Sequence, residues 1–368
     1  MTRHADRLAA AQRRLAASDA SAIVLSPSRN LQYLTGFAEE PSERALFLLL
    51  PADRDPVWFA PELAADQLAD RTPVETVRSW SDATGPEKPL ATLLSELDLD
   101  GRHLLVDGTM WARFTQLLES QLPQSTFGLA DELLGELRIR KDDAELDALR
   151  AAADAADSAM TAIRTLGAAA VGMTEAELAG RIETELTAAG GVECSFEPIV
   201  GSGPNGAMPH HTHSARTIKA GEPVVLDFGT RVDGYPSDQT RTVVFEGEPS
   251  DEFKRVHSVV RAAQRAAIAA IEPGVTAGRV DAAAREILVE AGYGEQFIHR
   301  TGHGVGLSVH EEPNIVDGSD CLLEPNMVFS IEPGVYRSGE FGVRIEDLVV
   351  VTDEGCERLN STPRGWRV

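Results

Sequence analysis

A carboxylate sits near the end of the apolar run Val224-Val225-Leu226-Asp227-Phe228-Gly229, and Asp238 follows 11 residues later in Pro236-Ser237-Asp238-Gln239-Thr240. Thr301-Gly302-His303-Gly304-Val305-Gly306 holds a histidine among glycines. Val328-Phe329-Ser330-Ile331-Glu332-Pro333-Gly334 ends an apolar stretch on a second carboxylate. Val343-Arg344-Ile345-Glu346-Asp347 leads into Leu348-Val349-Val350-Val351, which puts Glu346 within a strand. An acid in an apolar strand is costly unless it is hydrogen-bonded, paired or bound to metal. Any one of these residues can cap a turn or pair with an arginine. Four acids and an imidazole together in such surroundings are hard to explain as packing. Four carboxylates carry a charge of about −4, which balances two divalent cations, and oxygen-rich donors with one imidazole suit Mn²⁺, Co²⁺ or Fe²⁺, with Zn²⁺ compatible. A carboxylate can bridge two metals about 3.5–4 Å apart, and such a pair acidifies a shared water. Rival hydrolytic signatures are missing. There is no HExxH motif, and Ser202 stands in Gly201-Ser202-Gly203, not in Gly-x-Ser-x-Gly.

These residues need strands and turns to bring them together. The second half of the chain carries an internal echo. Gly172-Met173-Thr174 opens a helical segment ending at Ala189-Gly190, and Gly274-Val275-Thr276 opens another ending at Ala291-Gly292, an offset of 102 at both ends. Leu178, Ile182 and Leu186 make one face of the first helix; Val280, Ala284 and Leu288 make the matching face of the second. Each segment follows a long helix (143–166 and 251–271) and precedes apolar strands. Two such α/β halves leave a cleft at their junction. Upstream, residues 3–17 read as an amphipathic helix, and 22–25, 45–50, 57–60 and 104–106 as strands, with a helix across 109–122. This alternation gives an N-terminal α/β domain with no cluster of His, Cys or acids at ligand spacing. The chain therefore divides into a domain of residues 1–130 and one of residues 131–368.

Composition narrows the function. The 58 acidic residues against 34 basic ones give a net charge of −24, and only Lys88, Lys141, Lys219 and Lys254 are lysines. Such a surface repels nucleic acid and anionic lipid. The acid excess fits a solvated surface adapted to a salty cytoplasm. No apolar run is long enough to span a membrane, and the first residues lack the apolar centre of a secretory signal, so a cytoplasmic location is expected. Cys194, Cys321 and Cys356 are far apart and odd in number, which suggests neither a disulfide framework nor a zinc knuckle.

The spacings of 11 between the aspartates, 29 from His303 to Glu332 and 14 from Glu332 to Glu346 resemble those of the pita-bread metallopeptidases. That family includes proline dipeptidases, aminopeptidase P, methionine aminopeptidase and the non-metal creatinases. The likeness runs from about residue 138 to 353, and Asn30-Leu31-Gln32-Tyr33-Leu34-Thr35-Gly36-Phe37 resembles a stretch of the prolidase and creatinase N-terminal domain. The resemblance implies a creatinase-type α/β domain followed by a pseudo-twofold pita-bread α+β catalytic domain. It also implies roles. Asp227 would chelate one metal and His303 the other, while Asp238 and Glu346 would bridge. Glu332 would ligate and carry the proton from the attacking water to the leaving nitrogen. His210, 17 residues before Asp227, and His310, seven after His303, match histidines that meet the substrate. His299 would line the substrate pocket, and Arg344 would either hold a substrate carboxylate or form a plain ion pair in an acidic cleft. A homodimer acting on proline-containing peptides is implied by the same relatives.

One geometric tension remains in the pattern. Seven residues is an odd spacing, so a regular strand would point His303 and His310 to opposite faces, unless a bulge at Gly304 or Gly306 re-aims one of them. The expected activity is metal-dependent hydrolysis of the bond preceding proline, as an Xaa-Pro dipeptidase, with an Xaa-Pro aminopeptidase or an ectoine-type amidohydrolase as alternatives. A catalytically dead interaction module is disfavoured by the intact ligand set.

Overall fold

The computed structural model describes residues 3–368, which divide into two compact units, the second starting at Ile139. The first contains helices α1 (Arg3–Ala16), α2 (Arg29–Thr35), α3 (Glu62–Arg71), α4 (Glu87–Glu96), α5 (Ala112–Gln121) and α6 (Asp131–Arg138). Its strands are β1 (Ala22–Leu25), β2 (Phe47–Pro51), β3 (Val57–Pro61), β4 (Thr76–Trp80), β5 (His103–Val106) and β6 (Thr126–Leu129). They form one mixed sheet in the order β4-β3-β2-β1-β5-β6. The sequence boundary at residue 130 precedes α6, whereas α6 packs within the first unit. The edge strands escape the sequence reading because β4 is mostly polar and exposed and β6 is four residues long with none buried. The Asn30–Phe37 stretch is architectural. Ser28 caps α2, Gly36 ends it in the left-handed region at φ 77°, and Asn30 bonds the buried Asp107 at 2.8 Å.

The second unit repeats one design. α7 (Asp143–Arg164) packs on α8 (Glu175–Ala188), and α9 (Asp251–Ala269) packs on α10 (Ala277–Glu290). Thr174 and Thr276 cap α8 and α10 through their side chains, each worth about 1 kcal/mol. Leu178, Ile182 and Leu186 are buried with Val224, Leu226 and Phe228. Val280, Ala284 and Leu288 are buried with Phe329, Ile331 and Val349. The 102-residue echo is thus a repeated helix pair with its own core.

Each pair covers a sheet. Strands β7 (Ile199–Ser202), β8 (Val224–Phe228) and, after a short hairpin of β9 (Arg231–Val232) and β10 (Tyr235–Pro236), β11 (Gln239–Val243) pair antiparallel in the order β11-β8-β7. The other half uses β12 (Gly302–Gly304), β13 (Glu311–Ile315), β14 (Val328–Ile331), β17 (Asp347–Thr352) and β18 (Gly355–Arg358), in the order β13-β12-β14-β17-β18. Between them runs the hairpin of β15 (Gly334–Arg337) and β16 (Phe341–Arg344). Among the described residues no helix is long and apolar enough to cross a membrane.

Candidate active site

The acids stand where strands end. Asp227 is the fourth residue of β8 and lies opposite Thr240 of β11. Asp238 immediately precedes β11, and Glu332 follows β14. Glu346 lies in the two-residue break between β16 and β17, not within a strand as the sequence suggested. The break is forced by partners: β16 pairs with β15 but β17 with β14, so the chain must change sheets at Ile345-Glu346. Thr240 holds Glu346 in place, its backbone oxygen accepting from the Glu346 amide at 3.0 Å and its hydroxyl donating to Oε2 at 2.6 Å.

His303 is set by glycines and by α10. A Cβ at Gly302 would collide with the Ser330 carbonyl oxygen, and one at Gly304 with that of Glu312. Thr301 donates to the buried Asp281 of α10 through its amide and hydroxyl, at 3.2 and 2.7 Å. The register of β12 against β13 shifts between His303 and Gly304. This irregularity resolves the odd spacing: the strand ends at Gly304, the chain turns, and the rings of His303 and His310 meet edge-to-face with centroids 4.1 Å apart.

Nine side chains singled out from the sequence line one cavity of about 550 Å³: His210, Asp227, Asp238, His299, His303, His310, Glu332, Arg344 and Glu346. Ligand atoms of Asp238, His303 and Glu346 all lie within 4.8 Å of one another. His303 Nδ1 donates to the Gly304 carbonyl at 3.2 Å, and Nε2 lies 3.2 Å from Glu332 Oε1 and 3.7 Å from Asp238 Oδ2. Asp238 is pushed well above the usual carboxylate range by burial and by the charges of Glu346, Asp227 and Glu332. Glu346 is raised likewise, by burial and by Glu332 and Asp227. Burial acts upward on Glu332 too, but the hydrogen bond and charge of His303, with His299 and Arg344, bring it down to about 2. His310 is lowered to about 4 by partial burial and the nearby His303 and Arg300, which leaves it neutral at neutral pH.

Two expected substrate contacts are already engaged with protein. Arg344 is buried and donates to Thr240 Oγ1 (3.1 Å), Pro209 O (3.3 Å), Tyr336 Oη (2.8 Å) and Asp227 Oδ2 (2.5 Å). Arg344 thus forms an ion pair with Asp227. His299 Nδ1 donates to Arg300 O at 2.7 Å and Nε2 accepts from Tyr336 Oη at 2.8 Å, so both ring nitrogens of this cavity-lining residue are engaged with protein. Tyr336, on β15 of the hairpin whose β16 carries Arg344, links the two, and the sequence reading missed it because its partner His299 lies 37 residues away.

Residues 147–353 match the model of metallopeptidase family M24, and residues 7–140 match that of the creatinase/prolidase N-terminal domain. The chain belongs to metallopeptidase family M24. A probable dipeptidase, PepE, of Mycobacterium tuberculosis is 42% identical over 364 residues, 98% of this chain and 95% of that protein. An Xaa-Pro dipeptidase of Lactobacillus delbrueckii is 38% identical over 353 residues, 94% of each chain. A prolidase structure from Thermococcus sibiricus superposes with a TM-score of 0.94 at 39% identity, covering 99% of this chain and 98% of that one. The fold of this M24 metallopeptidase is accordingly a creatinase-type α/β unit followed by a pita-bread catalytic unit.

The M24 cavity fits the divalent metal its family uses. Among the described residues Asp227 Oδ1 and Glu346 Oε1 are buried with no hydrogen-bond partner. An orphaned buried acceptor costs about 1–3 kcal/mol, so oxygens left bare in this way suit a cation. His303 Nε2 faces carboxylate oxygens of Glu332 and Asp238, so a proton or a metal must lie between them. Carboxylate oxygens with one imidazole nitrogen are a donor set for borderline divalent ions.

Proposed function

We propose that this M24 peptidase is an Xaa-Pro dipeptidase with a dinuclear centre held by Asp227, Asp238, His303, Glu332 and Glu346. The observation that carries the reading is the convergence of these five residues with His210 and His310 on one cavity, in a chain whose near relatives include an Xaa-Pro dipeptidase. When bound, the metal pair supplies Lewis acidity and a water acidified toward neutral pH. The protein groups do the rest. The bond before proline is a tertiary amide, so its nitrogen must gain a proton before it can leave. Glu332, held ionised beside His303, takes a proton from the attacking water and delivers it to that nitrogen. His310, neutral at neutral pH, and His210 each have an N–H to donate to the scissile carbonyl oxygen as charge develops there. Arg344 and Tyr336 hold Asp227 and His299 in register.

Mn²⁺ or Co²⁺ suits the oxygen-rich set, with Fe²⁺ or Zn²⁺ as substitutes. The acid excess supports activity in a salty cytoplasm, and a homodimer is the assembly the family resemblance favours. The test is an activity panel with Mn²⁺ or Co²⁺ at high salt on Xaa-Pro dipeptides, Xaa-Pro-Yaa tripeptides and ectoine. Cleavage of the dipeptides is expected. Preference for the tripeptides would make the protein an aminopeptidase, and hydrolysis of ectoine alone would overturn the peptidase specificity.

A further inference from the structure

We propose that Glu175, the first residue of α8, is a positioning residue that fixes the turn carrying His210 into the cavity. Its side chain is fully buried. Oε1 accepts from the Ser202 amide at 2.8 Å and the Ser202 hydroxyl at 2.6 Å. Oε2 accepts from His211 Nε2 at 2.9 Å and the Ser214 hydroxyl at 2.6 Å. Asn205 Nδ2 reaches both oxygens at 3.0 Å. Every one of these donors lies between residues 202 and 214, and His210 stands inside that span.

The start of α8 reinforces the grip. The free amides of Glu175 and Ala176 donate to the carbonyls of Arg216 and Ser214 at 3.0 Å each. Arg216 closes the far end, donating to Ser202 Oγ and, with both arms of its fork, to Glu222 at 2.7 and 2.6 Å. By contrast the apex has little of its own. Met208 bonds back to Asn205, His211 to Met208, and Pro209 O accepts from Arg344. Among the described residues the His210 ring has no hydrogen-bond partner, yet it lines the cavity. Its neighbour His211 is committed to Glu175, so the turn is anchored on one imidazole and presents the other.

Burial acts upward on Glu175, but these charge-assisted hydrogen bonds outweigh it and hold the carboxyl at about 2. An ionised acceptor is what five donor groups require. Glutamine of the same size would turn one oxygen into an NH₂ group facing donors, leaving at least one pair opposed.

This inference rests on the reading that His210 meets the reacting peptide, and two measurements separate it from that reading. Hydrogen exchange of residues 202–214 in Glu175→Gln should rise at least about tenfold while β8, β11 and β14 and the metal stoichiometry stay unchanged. On an Xaa-Pro dipeptide, kcat/KM should fall on the order of tenfold or more. In a His210→Ala background the same substitution should cause no further loss, because Glu175 acts through His210. If Glu175→Gln does not fold, Ser214→Ala, which removes one donor, goes through the same comparison. Unchanged exchange in the 202–214 segment overturns the proposal. So does an equal loss in both backgrounds, which would make Glu175 a general structural staple. If the wild type cuts no Xaa-Pro dipeptide, the substrate reading fails alone, and the exchange comparison still decides whether Glu175 holds the turn.

Discussion

Replacing Glu346 by glutamine should stabilise the metal-free protein and remove the stability that metal confers. Ligand atoms of Asp238 and Glu346 lie within 4.8 Å of each other. Two negative charges at that spacing repel by about 3 kcal/mol at an effective dielectric of about 20. Protonation sets a second limit. The folded-state affinity of Glu346 for a proton is raised, so the unfolded chain ionises first and the metal-free fold loses stability as pH rises from about 4. Glutamine removes the charge and keeps an acceptor for Thr240 Oγ1. Roughly 3 kcal/mol corresponds to a rise in Tm of about 6–12 °C for a unit of this size. The assay is calorimetry at pH 7 on chelator-stripped protein, with and without Mn²⁺. Wild type should gain about 2.7 kcal/mol at a hundredfold excess of metal over Kd, and the variant much less. If the stripped Glu346→Gln protein melts at or below stripped wild type, or if Mn²⁺ raises its Tm as far as it raises that of wild type, the reasoning is refuted.

His303→Ala and His310→Ala should separate: the first loses metal, while the second keeps metal stoichiometry and loses on the order of 10²–10³ in kcat. Equal metal loss in both would make His310 a ligand. His257, buried on α9 and lowered to about 4 by burial and by Arg261 and Arg164, must stay neutral in the fold while the unfolded chain protonates near 6.5. Stability at this site is therefore full above about pH 7 and falls by about 3 kcal/mol between pH 6.5 and 4. Urea titrations across that range should show the slope in wild type and not in His257→Gln, and identical slopes would mean His257 is not held neutral.

Periodicity and strand-end acids were legible in the sequence because both are local. The helix faces at 178, 182 and 186 and at 280, 284 and 288 follow from a 3.6-residue repeat, and both are buried as that repeat requires. The five acid and histidine candidates stood out because carboxylates and an imidazole are costly in apolar surroundings. Strands β4 and β6 were not legible, since an exposed polar edge and a four-residue edge with no buried residue carry no alternation to read. The partners of the candidates were decided only by tertiary structure. Arg344 meets Asp227 across 117 residues, and Tyr336 reaches His299 across 37. No local spacing encodes that the β15–β16 hairpin will deliver an arginine to Asp227 and a phenol to His299. Glu175 was hidden for the same reason: as a sequence feature it is an ordinary acid at a helix start, and its donors lie 27 to 39 residues away. Sequence placed Asp227, Asp238, His303 and Glu332 at strand ends and turns but Glu346 within a strand; strand register and helix packing determined which of them touch.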